Sequence, residues 1–411
     1  MVPPSSTSSS RPEHSSVDRP AALPFGGLPV AGFLAVLLVL ATDRWVFADI
    51  GFWQRIEELV NSQVSLNSGV VRDRIALDAI SHSDEERLQA CVMGTSRARR
   101  GLLPYWITPR VQDRFDMFYI AHAGMQPFEI RSMVAELIES GVDVVVLSLS
   151  EFDTHRPLKI TAATGAGSFA ALFDFWRFTG LAAVRRSRLD VLRLCTSALL
   201  QSYRFRQVER SAGLSELLGF RRPGSGAGPS GIGLGYAIGA DGLPGMPEQE
   251  GPGGYTVYGM AWSLFYRLAD ELSERFPDLS LNARRAELRQ VVSIAKGVHA
   301  GVQMAFLRET ADRLNEAGID VLILELPIYP GVAGYYDTST REEFLSFARE
   351  LAQAELVHFV PLNDADPIPD ELFVDLTHVT NKGSQRLSNT LVEGLLTIAD
   401  ERDARERLSQ D

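Results

Sequence analysis

Residues 142–149 read Val-Asp-Val-Val-Val-Leu-Ser-Leu, an almost unbroken run of strand-forming apolar side chains. A strand with one wet face alternates apolar and polar residues, whereas a strand apolar on both sides belongs to a sheet covered on both faces, as parallel sheets are. An amphipathic stretch, Pro127 to Ser140, precedes it and stops at Gly141, which reads as a helix with a glycine terminator. The same rhythm recurs along the chain. Leu88 to Gly94 and Met117 to Ala121 are short apolar runs of buried-strand type. Farther on come a helix from Val302 to Ala317 with Gly318 at its end, a strand from Ile319 to Leu326, and a helix from Ser339 to Gln353. A last strand covers Val357 to Leu362, and a closing helix runs from Asn381 to about Asp400. Strands alternating with helices predict a three-layer α/β/α sandwich with a mainly parallel sheet. There is no internal repeat.

The N-terminal region follows other rules. Residues 1–20 are rich in Ser and Pro and read as a disordered arm. From Ala21 to Thr42 no residue is charged, and Leu28 to Ala41 is almost wholly apolar. A bilayer core about 30 Å thick takes roughly 20 such residues in a helix, so residues 21–47 predict a transmembrane helix. Trp45 and Phe47 stand where interfacial aromatics belong, and Arg11 and Arg19 place the arm in the cytoplasm by the positive-inside rule. The competing reading is a signal peptide cleaved near Val46-Phe47-Ala48, but Asp43 and Arg44 interrupt the approach to that site. The expectation is a single-pass anchor with the rest of the chain outside the cytoplasm, periplasmic or on the cell surface. Residues 48–87 then form a helical connector, and residues 88–400 the α/β domain.

That domain carries an insertion, residues 155–258, whose part 223–254 is dense in Gly and Pro and cannot pack a core. Arginines cluster ahead of that tract, from Arg185 to Arg222. The bland reading is a solvated helix face; the sharper one is a basic surface for anionic glycan or lipid head groups. A net charge of −12 excludes nucleic acid as the main partner. The two cysteines, Cys91 and Cys195, supply no disulfide framework; both read as small buried hydrophobes, with one disulfide between them as the alternative. The Gly-rich tract lacks the Lys-Ser/Thr of a phosphate-binding loop. With no metal-ligand cluster either, the expectation is no cofactor and no metal.

Three local features carry chemistry. Gly94-Thr95-Ser96 directly follows the first strand, and open α/β sheets place their sites at the carboxyl ends of strands. Asp375-Leu376-Thr377-His378 lies just before the last helix. A serine nucleophile needs a base, and the base needs an acceptor that fixes its tautomer; Asp-x-x-His in one loop supplies both if the loop folds back on itself. The alternative is a helix cap by Asp375 or Thr377 with an exposed His378. Oxyanion donors could come from the N–H of Ser96, the N–H of Gly124 after the second strand, and the hydroxyl of Ser150 after the third. His122 and His155 lie near strand ends, where single histidines are more often structural than catalytic.

Taken together, this order of features resembles the SGNH (GDSL-like) hydrolase family. The resemblance covers about residues 88–154 and 300–400. It implies Ser96 as nucleophile, His378 as base, Asp375 as the residue orienting it, and Gly124 in the oxyanion hole. The run Ser96-Arg97-Ala98-Arg99-Arg100-Gly101 and the strand end Leu147-Ser148-Leu149-Ser150-Glu151-Phe152-Asp153 look like a bacterial membrane-anchored subgroup associated with envelope-polymer modification. Two positions depart from the pattern. The usual Gly-Asp-Ser is Gly-Thr-Ser, and the family's Asn after the third strand is Ser150. The order Ser…Asp-x-x-His also differs from that of alginate O-acetyltransferases, where the Asp-His motif precedes the serine. It is closer to the family's esterases and to the anchored proteins of teichoic acid D-alanylation.

The expected function is therefore a membrane-anchored serine esterase or O-acyltransferase working through an acyl-serine, on a small ester or a cell-envelope polysaccharide. The transferase version would use a neighbouring membrane-bound acyl-donor protein. The alternative is a non-catalytic glycan-binding or assembly component, motivated by Ser150 in place of Asn.

Overall fold

The computed structural model describes residues 27–54, 67–83, 86–121, 125–155, 200, 256–257, 260–261, 273–277, 300–335, 339–362 and 367–410. The N-terminal arm, Gly124, His122, Cys195, the arginine cluster and the Gly/Pro-rich tract lie outside them.

Five strands form one parallel sheet: β1 (Leu88–Gly94), β2 (Phe115–Ala121), β3 (Val144–Leu149), β4 (Asp320–Glu325) and β5 (Val357–Val360). Their spatial order is β2-β1-β3-β4-β5. The order reverses between β1 and β3, the switch point at whose carboxyl ends open α/β sheets place their sites. A two-residue antiparallel pair, Thr256–Val257 with Met260–Ala261, stands apart from this sheet.

The period-two alternation of a strand divides the core in two. Cys91, Met93, Val145, Leu147, Val321 and Ile323 point to one face. There they meet apolar side chains of α2 (Asn67–Ser81), α5 (Pro127–Ser140), α7 (Ala300–Glu316) and α8 (Ser339–Leu351). Ala90, Val92, Val144, Val146, Leu322 and Leu324 point to the other. There they meet α3 (Ser96–Gly101), α4 (Pro104–Val111) and α9 (Asn381–Gln410). Central strands buried on both sides explain the near-continuous apolar runs.

Helix ends follow local chemistry. Gln126 and Glu129 form a reciprocal capping box at the start of α5, with Pro127 in the first turn. Gly141 ends that helix at φ 81°, a left-handed conformation that costs glycine nothing. Helix α9 runs to Gln410, ten residues beyond the expected end near Asp400. The added turns bring Arg402 and Arg405 to Asp320 at the start of β4, a long-range tie that helical periodicity does not show. Cys91 is a free, fully buried cysteine whose thiol burial pushes well above its ordinary range, so it is inert, as expected.

At the N-terminus, α1 (Gly27–Ala48) contains an 18-residue span, Val30–Phe47, of mean hydropathy 1.8, in which no apolar side chain is buried and only Asp43 is. By length and composition it is one helix, among the described residues, able to cross a membrane.

Candidate active site

Ser96 opens α3 immediately after β1 and Gly94. Thr95 caps that helix: its hydroxyl oxygen accepts from the Arg97 N–H at 3.3 Å. Glycine is required at position 94 because a Cβ there would stand 2.7 Å from the Ser148 carbonyl oxygen and 2.8 Å from the Ala98 Cβ. This close approach seats the start of α3 beside the end of β3. As the first helical residue, Ser96 has an N–H with no acceptor inside the helix, and it sits at the positive end of a helix.

The Asp375–His378 loop is closed at its base by an antiparallel bridge between Phe373 and Val379. Val374 N–H donates to His378 O at 2.9 Å and Thr380 N–H to Leu372 O at 2.7 Å. Tyr329, just after β4, donates its N–H to Leu376 O at 3.0 Å and stacks edge-on against Phe373 with centroids 5.8 Å apart. Inside this small loop the Asp375 carboxylate accepts the N–H groups of Thr377 (2.9 Å) and His378 (2.7 Å). It therefore turns back toward its own histidine: His378 Nδ1 lies 2.8 Å from Asp375 Oδ2 and 3.0 Å from Oδ1.

Helix α9 sets this loop against α3. Leu387, Leu391, Leu395 and Ile398 form an apolar stripe at helical spacing against the sheet, each burial worth about 1.5–3 kcal/mol. With that face inward, Ser384 Oγ donates to Arg100 O at 3.1 Å, and Ser388 Oγ accepts the Leu103 N–H at 3.0 Å. These hydroxyls satisfy backbone groups left over where α3 ends. The outcome is that His378 Nε2 stands 3.0 Å from Ser96 Oγ, across 282 positions of sequence.

The three residues expected to act together are thus in one hydrogen-bonded line, Ser96–His378–Asp375. Asp375 and His378 are buried, and Ser96 is partly exposed. Burial would by itself raise the Asp375 carboxyl. The hydrogen bond and charge of His378, aided by the two N–H donors, outweigh burial and hold it below the ordinary carboxylate range. Asp375 is thereby held as a carboxylate against His378 Nδ1.

Ser150 differs from its expected role. Its side chain is fully buried; the hydroxyl oxygen caps the short helix α6 (Glu151–Thr154), accepting Phe152 N–H at 3.1 Å, and accepts Arg97 Nη1 at 2.5 Å. In both contacts the hydroxyl oxygen is the acceptor. His155 is buried too, its Nδ1 2.9 Å from Thr154 Oγ1 and its Nε2 3.3 Å from Glu343 Oε2, a structural placement.

Arg97 and Asp153, which the sequence offered only as members of two separate motifs, form one pair in the structure. The Arg97 guanidinium, 5 % exposed, pairs with the fully buried Asp153 and lies 5.7 Å from the Phe152 ring. Removing one partner of a buried ion pair costs about 3–5 kcal/mol, so this pair firmly ties α3, which carries Ser96, to the end of β3. The available signal was an arginine after one strand and an acid after its sheet neighbour.

Comparison with known proteins adds little. A family model that carries no functional description matches residues 261–399, which include Asp375 and His378 but not Ser96. No curated protein matches the chain.

Proposed function

We propose that this chain is a membrane-anchored serine acyl-transfer enzyme of SGNH type, with Ser96 as nucleophile, His378 as general base and Asp375 as its orienting carboxylate. The observation that carries the reading is the Ser96 Oγ–His378 Nε2 distance of 3.0 Å, backed by His378 Nδ1–Asp375 Oδ2 at 2.8 Å. The helices on both faces of the β2-β1-β3-β4-β5 sheet support the finer reading of a three-layer sandwich of that family.

In the first half-reaction Ser96 Oγ attacks the ester carbonyl carbon while its proton passes to His378 Nε2. The carbonyl oxygen takes up negative charge, which the Ser96 N–H at the head of α3 is placed to stabilise. Gly124 is the proposed second donor. Collapse breaks the bond to the leaving alcohol, which takes the proton from His378 and leaves an acyl-serine. An acceptor hydroxyl then gives its proton to His378 and attacks the acyl carbon, releasing Ser96 and the product. Water as acceptor makes the protein an esterase, and a sugar hydroxyl makes it an O-acyltransferase. The anchor favours an envelope polysaccharide as acceptor, with the bulk of the chain outside the cytoplasm.

Labelling the full-length protein in detergent with a fluorophosphonate tests this. The wild type should form a covalent adduct that Ser96→Ala abolishes without change in circular dichroism. A folded wild type that stays unlabelled would sink the proposal. The buried Ser150 hydroxyl favours one competing reading, a glycan-binding or assembly component that keeps the fold with an incomplete oxyanion hole. That reading expects glycan binding unaffected by Ser96→Ala.

A further inference from the structure

The sheet has two edges, and anchor and site occupy opposite ones. Every strand of the sheet is parallel, so all carboxyl ends lie on one edge. Ser96 follows the carboxyl end of β1, and the Asp375–His378 loop is tied to the segment after the carboxyl end of β4. The chain that leaves α1 goes to the other edge. There Phe47, Ile50 and Trp53 line a cleft of about 260 Å³ with Leu77 and Ser81 of α2 and Ser140 of α5. Those are the last turns of helices that lead into the amino ends of β1 and β3. The junction is a fixed one. Trp53 is only 2 % exposed, its indole N–H donates to Phe47 O at 2.9 Å, and its ring packs against Phe47 and Phe52. In the 18-residue span that precedes it only Asp43 is buried, and the domain leaves its apolar side chains uncovered.

β1 has seven residues, which at about 3.3 Å each separate the two edges by roughly 20 Å. We infer that the site opens away from the membrane that holds α1, and that Ser96 takes its acyl group from a water-borne ester or polymer side chain, not from a lipid in that bilayer. This rests on the acyl-transfer reading above. A lipid ester stays within the interfacial layer, next to the Trp53 junction, and cannot reach across the sheet to Ser96. A glycan strand or a soluble donor arrives from the aqueous side without obstruction.

The test uses the full chain in phospholipid vesicles, with Cys195→Ser to leave only the buried Cys91. Energy transfer to a head-group-labelled lipid is measured from a dye at Ser81→Cys, near the anchor junction, and at Arg99→Cys, one turn beyond Ser96. The dye at position 99 should lie farther from the lipid surface by roughly the strand length, about 20 Å. In parallel, a soluble fluorophosphonate should label the wild type at least about tenfold faster than one held on a lipid head group by a short linker, because the lipid-held group cannot span that distance. Equal or shorter distance at position 99, or equal labelling by the lipid-held probe, would overturn the inference. If the soluble probe fails to label Ser96, the acyl-transfer reading falls, while the distance measurement still decides the orientation by itself.

Discussion

Among the described residues two buried aspartates each face a histidine, Asp320 with His358 and Asp375 with His378, and in one of the pairs the second imidazole nitrogen faces a serine hydroxyl. At the amino edge of the sheet, Asp320 lies 3.3 Å from His358 Nε2 and accepts both nitrogen-borne contacts of Arg405 at 2.9 Å and one from Arg402 at 3.3 Å. His358 also meets Glu401 at 3.6 Å through Nδ1, so carboxylates face both of its ring nitrogens. At the carboxyl edge, Asp375 is met by His378, the hydroxyl of Thr377 and two backbone N–H groups. The second nitrogen of His378 faces a hydroxyl instead of an acid. Both carboxyls are held below their ordinary range although burial opposes this, Asp320 by His358 and two arginines, Asp375 by His378 and the backbone. A lowered aspartate next to a histidine is therefore no mark of a site. What distinguishes the second pair is an imidazole nitrogen that faces the hydroxyl of Ser96.

Substitution of the two histidines probes this contrast most severely. His378→Ala should lower ester turnover by about 10⁶-fold, the scale lost when the base of a serine triad is removed. His358→Ala should leave turnover within a factor of a few; comparable losses in initial rates would dissolve the distinction. Next come the aspartates. Asp375→Asn should cost about 10⁴ in kcat through loss of the correct imidazole tautomer, with a small change in Tm. Asp320→Asn should do the reverse, keeping kcat while destabilising the fold by about 3 kcal/mol as Arg402 and Arg405 lose their partner. Thermal unfolding alongside kinetics separates the two. The smallest effect is on acid stability. Both aspartates have lowered folded values, so the stability they contribute is present above about pH 4 and lost as the pH falls through those values. Denaturant titrations from pH 7 to pH 3 should show a fall that is shallower in Asp320→Asn than in the wild type. An unchanged slope would mean that Asp320 is not held as its contacts imply.

Much of the sheet was legible in advance because its signal is local. The runs at 88–94 and 144–149 are apolar on both faces, and only a strand buried on both sides tolerates that. Gly141 announced the end of α5 for an equally local reason, the cost of a left-handed turn for any other residue. Helix α4 and the last ten residues of α9 were not foreseen: α4 is short, with Pro109 inside it, and the end of α9 is held by arginines whose partners lie some eighty positions back in the sequence. The types and order of Ser96, Asp375 and His378 are visible in the sequence, whereas the burial of Ser150 and its cap on Phe152 N–H depend on backbone dihedrals. The pairing of Arg97 with Asp153 is not visible in the sequence because the two are 56 positions apart.

By itself the amino-acid order determined which segments are strands, which serine and histidine had the right chemistry, and that Val30–Phe47 is long and apolar enough to cross a membrane. Those follow from periodicity, residue type and length, which are properties of neighbours along the chain. Only the tertiary structure decided that His378 Nε2 comes within 3.0 Å of Ser96 Oγ, that Asp320 is neutralised by arginines, and that the end of α1 and Ser96 lie at opposite edges of the sheet. Each of these depends on packing between segments far apart in sequence, where apolar burial sets the register and hydrogen bonds of a few ångströms select one partner among many.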